Sequence, residues 1–210
     1  IHSTARGPAM GGCRMWHYDR PESAIYDALR LSEGMSYKNA VAGLACGGGK
    51  GVIVRPPGPA PSGRVRNAAL RDFGDLVKEC GGSYLTAEDV GMAERDMAVI
   101  AERTGHVCGC STRAGGSGDP SPWTALGLLT AIETVCERLH GSRELRGRSV
   151  AVIGLGHVGL PLARMLSSAG ARLIVSDIDR AKREHTTALG ARWLTPAKAL
   201  AAPVDVVAPC

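Results

Sequence analysis

The run Ser149-Val-Ala-Val-Ile153 has the apolar, β-branched character of a buried strand, and Gly154-Leu-Gly156-His-Val-Gly159 follows it without a gap. A helix is predicted from there to Ala169, and Arg172-Leu-Ile-Val-Ser-Asp177 reads as the next strand. Asp177 lies eighteen residues beyond Gly159. Strand, glycine fingerprint, helix, strand and acid are the parts of a dinucleotide site in their required order. The first glycine permits a tight turn, the second lets backbone approach a pyrophosphate, and the third packs helix on strand. The helix N-terminus then turns its N–H groups to the phosphates. Gly154, Gly156, His157, Val158 and Gly159 are therefore the expected cofactor-binding residues. Asp177 is placed to accept hydrogen bonds from the adenosine ribose and to repel a 2′-phosphate, which favours NAD over NADP, with Arg180 close enough to soften the preference. A helix from about Arg180, a strand at 192–194, another helix and a strand at 204–207 continue the alternation, so a parallel sheet with crossover helices is expected.

Composition narrows the class further. The chain has 210 residues, 44% of them hydrophobic, ample for a core in one large or two smaller domains. Its formal charge of +5 is spread over basic residues with acidic neighbours, and only one Phe is present, which argues against a nucleic-acid partner. No apolar run is long enough for a membrane helix. Seven cysteines without C-x-x-C spacing favour reduced thiols over a disulfide scaffold or metal knuckle, and a cytoplasmic setting. No metal site is expected. Both ends read as cut from a longer protein.

The first half is less regular. Residues 21–37 have helical periodicity, with Ala24, Ala28, Leu31 and Met35 on one stripe and Pro21 at the start. Val52-Ile-Val54 and Tyr84-Leu-Thr86 read as strands, 65–79 and the stretch up to about Arg103 as helices. Gly47-Gly-Gly-Lys50 suggests a phosphate loop. That pattern requires Gly at 44 and Ser or Thr at 51, where Leu44 and Gly51 stand, so phosphate binding is rejected. What is left is a tight, conformationally free glycine turn delivering Lys50. Gly115-Gly-Ser-Gly-Asp-Pro-Ser-Pro122 is the clearest break, and a long helix follows from Trp123 to about His140. The domain boundary is placed there, giving 1–120 and 121–210.

Five motifs in order carry a family likeness: Ile1-His-Ser-Thr-Ala-Arg-Gly-Pro-Ala-Met-Gly-Gly12, Gly34-Met-Ser-Tyr-Lys38, Gly47-Gly-Gly-Lys50, Thr86-Ala-Glu-Asp-Val-Gly91 and Gly116-Ser-Gly-Asp-Pro-Ser-Pro122. Together they resemble the amino-acid dehydrogenases acting on Glu, Leu, Phe and Val, nearest the leucine/valine/phenylalanine branch. The resemblance implies an α/β protein, with an N-terminal substrate domain followed by a Rossmann dinucleotide-binding domain, both truncated at the outer ends. It implies that Lys38 holds the substrate α-carboxylate together with the N–H groups around Gly11 and Gly12. Lys50 becomes the catalytic base, Asp89 the acid that exchanges protons with the amino group, and Thr124 a neighbour of the nicotinamide amide. Lys38 is also expected to supply the cation that lowers the Lys50 pKa. Met10 and Met35 are taken as substrate contacts. Met10 stands where the glutamate branch resembles a lysine, which disfavours a carboxylate side chain.

The expected activity is NAD-dependent oxidative deamination of an apolar L-amino acid, branched-chain first and phenylalanine second, in a homo-oligomer. A non-catalytic dinucleotide-binding homologue and a glutamate-specific enzyme stay open as alternatives. Ala45, Cys46 and Gly51 depart from the family pattern, and Cys46 is read as a packing residue. Taken singly, Lys38 reads as a surface lysine and Asp89 as a helix N-cap.

Overall fold

The computed structural model describes residues 1–210. They form two compact units, Ile1–Asp119 and Pro120–Cys210.

The first unit is organised by short parallel strands: β1 (Ala9–Met10), β2 (Cys13–Trp16), β3 (Gly47–Gly48), β4 (Gly51–Val54) and β5 (Tyr84–Leu85). β1 lies between β3 and β5, and β2 pairs with β4. Backbone hydrogen bonds continue past these spans. The N–H groups of Gly11, Cys13 and Met15 donate to the carbonyls of Leu85, Ala87 and Val90, and those of Gly49 and Gly51 donate to Met10 and Gly12. β1 and β2 are thus two halves of one central line, interrupted at Gly11–Gly12. β3 and β4 are two halves of its neighbour, interrupted at Gly49–Lys50.

Neither β1 nor β2 was among the strands expected from sequence. β2 nevertheless alternates cleanly, with Cys13 and Met15 buried, Arg14 half-buried and Trp16 exposed. Cys13 and Met15 join Leu70, Met92, Met97 and Ile100 in one core cluster, while Ala9, Val77 and Tyr84 form another. These clusters hold helices α2 (Gly63–Glu79) and α3 (Glu94–Ala101) to the sheet.

Helix α1 (Pro21–Val41) opens on its proline as expected but runs four residues beyond 37. Gly43, at φ 70°, turns the chain out of it. The buried Asn39 side chain donates to the carbonyls of Met10 (3.2 Å) and Gly47 (2.6 Å), tying the last turns of α1 to both strand lines.

The triple glycine differs from the expected free turn. None of Gly47, Gly48 and Gly49 has positive φ, and all three are buried. A Cβ would stand 1.8 Å from the Ser3 carbonyl at Gly47, 2.2 Å from the Ser36 nitrogen at Gly48 and 2.7 Å from the Tyr84 ring at Gly49. These glycines serve close packing rather than conformational freedom.

The second unit contains β6 (Ser149–Ile153), β7 (Arg172–Ser176), β8 (Arg192–Trp193) and β9 (Val206–Pro209), all parallel in the order β8-β7-β6-β9. In this order β8-β7-β6 is the 3-2-1 arrangement of one mononucleotide-binding half of a doubly wound sheet, and β9 takes the place of strand 4 beside it. Helices α4 (Ser121–His140), α5 (Gly159–Ser168), α6 (His185–Leu189) and α7 (Pro196–Leu200) accompany it. Val150, Val152, Leu162, Leu166 and Val175 form the centre of its core. The helix expected from Arg180 starts as a 3₁₀ turn, Arg180–Glu184, and becomes α-helical only at His185. The last strand lies two residues later than expected.

Because a Cβ at Gly48 would meet the α1 backbone at Ser32 and Ser36 as well as the Ser36 hydroxyl, Gly48→Ala should cost on the order of 1–3 kcal/mol by overpacking. Chemical denaturation of the complete protein checks this, and an unchanged midpoint at unchanged slope would count against the packing role.

Candidate active site

Lys50 stands at the interruption between β3 and β4, and its side chain is only 5% exposed. The three glycines before it and Gly51 after it leave no room for the loop to swing, since a Cβ at Gly51 would lie 2.5 Å from the Phe73 ring. Its Nζ lies 2.9 Å from Asp89 Oδ1. Asp89 comes from the irregular segment after β5. A Cβ at Gly12 would stand 3.0 Å from the Asp89 Cβ, so the interruption in the central line is what admits this side chain. The other carboxylate oxygen, Oδ2, accepts a hydrogen bond from Arg14 Nε at 2.8 Å. Asp89 is no helix N-cap: α3 begins at Glu94 with Ala93 in that position, and Asp96 accepts from the Ala93 N–H.

These contacts set the proton affinities. Burial lowers the pKa of Lys50 below its ordinary value. Asp89 opposes that shift and the Arg14 charge assists it, with the net direction downward. For Asp89, burial alone would raise the carboxyl, but hydrogen bonds from Lys50 and Arg14 prevail and hold it below the usual range. The neighbouring Cys13 thiol is pushed up to about 12, chiefly by burial, and so stays protonated. The nearby cation expected from Lys38 is therefore supplied by Arg14. Sequence reasoning missed Arg14, although the alternation of Cys13-Arg-Met-Trp16 signals a strand that places it opposite the core face.

Arg14 is itself held. Its Nη1 lies 2.8 Å from Asp27 Oδ2 on α1. The same oxygen accepts the Tyr18 hydroxyl at 2.6 Å, and Asp27 Oδ1 accepts from Arg30.

The expected substrate contacts are distributed as follows. Lys38 is exposed on the last turn of α1 and forms no ion pair. Met35, one turn earlier, has its Cγ 3.0 Å from the position of a Cβ on Gly11, and Met10 is half-buried on β1. The Gly11 N–H was expected to meet a carboxylate. It donates instead to the Leu85 carbonyl at 3.2 Å, as the continuing ladder requires.

In the second unit the fingerprint glycines fit a dinucleotide. Gly154 has φ 98°, and a Cβ there would stand 2.2 Å from the Cys210 carbonyl. A Cβ on Gly159 would stand 1.9 Å from the Gly154 carbonyl, whereas one on Gly156 would meet nothing within 4 Å. The outer glycines are thus needed for turn and packing, and the middle one faces open space, as approach to a pyrophosphate demands. Exposed His157 and half-buried Val158 lead into α5. Asp177, at the end of β7, accepts from the N–H groups of Leu155 (2.7 Å) and Asp179 (2.9 Å). The cation against it is Lys182, with Nζ 2.9 Å away, rather than Arg180. Thr124 is exposed on the first turn of α4, its hydroxyl donating to the Pro120 carbonyl.

Residues 1–106 match the family model described as Glu/Leu/Phe/Val dehydrogenase, dimerisation domain. The chain belongs to the Glu/Leu/Phe/Val dehydrogenase family. Residues 149–210 match the NAD binding domain of 6-phosphogluconate dehydrogenase, and NAD is the cofactor of this unit. Over its whole length this dehydrogenase-family chain is 43% identical to leucine dehydrogenase of Thermoactinomyces intermedius and covers 57% of that protein. The crystal structure of L-tryptophan dehydrogenase from Nostoc punctiforme matches with a TM-score of 0.72 at 37% identity, covering 100% of this chain and 58% of that one. The hetero-hexameric glutamate dehydrogenase of Thermus thermophilus, in its Leu-bound form, matches with a TM-score of 0.78 at 27% identity, covering 98% and 54%. The chain therefore spans a little over half the length of these relatives.

The Lys50–Asp89 pair has a signed consequence. Asp89 raises the Lys50 pKa against burial, so Asp89→Asn should move the Lys50 titration further down. The pH dependence of Lys50 acylation, followed by mass spectrometry, measures this, and an upward or absent shift would contradict the pairing. Stability follows the same signs. Lys50, depressed in the folded state, adds stability as pH rises from its folded pKa toward 10.5. Asp89, also depressed, contributes above 3.8, and that contribution is lost as pH falls through its folded pKa.

Proposed function

We propose that the complete protein catalyses NAD-dependent oxidative deamination of an apolar L-amino acid to its 2-oxo acid and ammonia. Branched-chain substrates are preferred, with phenylalanine next. The observation that carries this reading is the buried Lys50 amine with lowered pKa, held 2.9 Å from an ionised carboxylate. Lowering an amine's pKa raises its neutral fraction, the direction a general base requires. NAD, when bound, accepts the hydride from the substrate Cα. Lys38 binds the α-carboxylate, Lys50 Nζ takes a proton from the water that attacks the resulting imine, and Asp89 Oδ1 receives that proton from Lys50 and relays it to the departing amino group.

The half-buried Met10 supports an apolar substrate, because it offers a side-chain carboxylate no charge partner. The names of the leucine and L-tryptophan dehydrogenases support the same class. Seven unpaired cysteines suit a reducing cytoplasm. The family model's description as a dimerisation domain supports a homo-oligomer.

NADH formation by the complete protein against a panel of L-amino acids is the test. Turnover should be highest with leucine or valine, and Lys50→Ala should abolish it while leaving NADH binding intact. Glutamate as the best substrate, or substantial turnover by the variant, would overturn the assignment. Asp177 and Lys182 give a second prediction. Because Lys182 offsets the charge that repels a 2′-phosphate, Lys182→Ala should widen the preference for NADH over NADPH in fluorescence titrations. An unchanged ratio would remove Lys182 from cofactor selection.

A further inference from the structure

We propose that Arg14 and Asp27 are positioning residues, Asp27 fixing the Arg14 guanidinium and Arg14 fixing Asp89 against Lys50. The proposal rests on the catalytic reading of the Lys50–Asp89 pair given above.

Four side chains from four segments form a line of alternating charge. Lys50 lies between β3 and β4, Asp89 follows β5, Arg14 sits on β2 and Asp27 on α1. The successive contacts are 2.9, 2.8 and 2.8 Å. Asp89 belongs to a segment without regular structure, where a carboxylate held by one cation alone would remain free to turn about its Cβ–Cγ bond. Arg14 removes that freedom: with Oδ2 on its Nε, only Oδ1 is left to face Lys50. The planar guanidinium suits this task, since one N–H serves Asp89 and another Asp27 in a fixed relative direction.

Asp27 is in turn immobilised from the other side. Its side chain is 13% exposed and accepts from Tyr18 and Arg30 as well as Arg14. Arg14 thus cannot follow a moving substrate without breaking contacts on α1. Its charge is partly balanced by Asp27, so it assists the depression of Lys50 without dominating it. The charged or titratable groups acting on Lys50 are Asp89, Arg14 and the protonated Cys13.

Two variants of the complete protein separate positioning from simple charge. Arg14→Gln frees the Asp89 carboxylate, whose contacts raise Lys50 more than the Arg14 charge lowers it, so the Lys50 titration should fall. Asp27→Asn frees the guanidinium that holds Asp89 and leaves its charge uncompensated, so the titration should fall there too. Both should lower kcat by about a hundredfold, the scale of a misplaced reacting group, with a smaller change in KM. Tyr18→Phe, which removes only one donor to Asp27, should give a smaller kcat loss and guards against failure of the others to fold. The Lys50 titration is read by pH-dependent acylation and mass spectrometry, independently of turnover. A rise of the Lys50 titration in Arg14→Gln, no shift in either variant, or KM effects exceeding those on kcat, would reduce the line to a structural tie and overturn the proposal. Absence of amino-acid turnover in the unaltered protein would instead strike at the catalytic reading, leaving the titration result to stand separately.

Discussion

The Asp89 carboxylate is shared between two cations, and the first unit is built around keeping it so. Ion pairs taken out of water are stabilising only when both partners are well placed and their remaining hydrogen-bonding capacity is met. Here each Asp89 oxygen has its own donor, Lys50 on one side and Arg14 on the other. Losing either cation would leave one oxygen of a half-buried carboxylate without its donor, a penalty of roughly 1–3 kcal/mol. The pair is therefore both a structural commitment and a source of altered proton affinity.

Close backbone approach makes the geometry reachable. Gly11 and Gly12 interrupt the central strand line at the level where Lys50 interrupts its neighbour, and Cβ atoms there would collide with the Gly49 carbonyl and with the Glu88 carbonyl beside Asp89. Gly48 lets α1 settle onto the sheet, and Asn39 pins it there through two carbonyls. The same contacts bring Asp27 into range of Arg14. Packing, charge pairing and site are thus one arrangement, in which the glycines set distances and the charged groups use them.

The second unit was the more legible from sequence. Its long apolar strand, glycine fingerprint and following acid each have a local signature, and the sheet order follows from the alternation. The first unit was harder to read because its strands are two to four residues long and its glycines act through tertiary contacts that no local pattern announces. Lys50 and Asp89 were found through ordered motifs, and the structure brings them together. Arg14 and Asp27 escaped notice because nothing in their immediate neighbours marks them. Asp27 looks like an ordinary helix-surface acid until Arg14, Tyr18 and Arg30 are seen around it. Lys182 was overlooked for Arg180 for a related reason: the 3₁₀ turn after β7 sends the side chain two residues farther on back to Asp177.

A crystal structure of the complete protein with NADH and the 2-oxo acid of leucine would test the central claim most directly. The account predicts the oxo oxygen within hydrogen-bonding reach of Lys50 Nζ, with the carboxylate on Lys38 and the Asp89–Lys50 and Asp89–Arg14 contacts retained. A 2-oxo acid bound away from Lys50, or an Asp89 turned from Lys50 with its Arg14 contact broken, would contradict it.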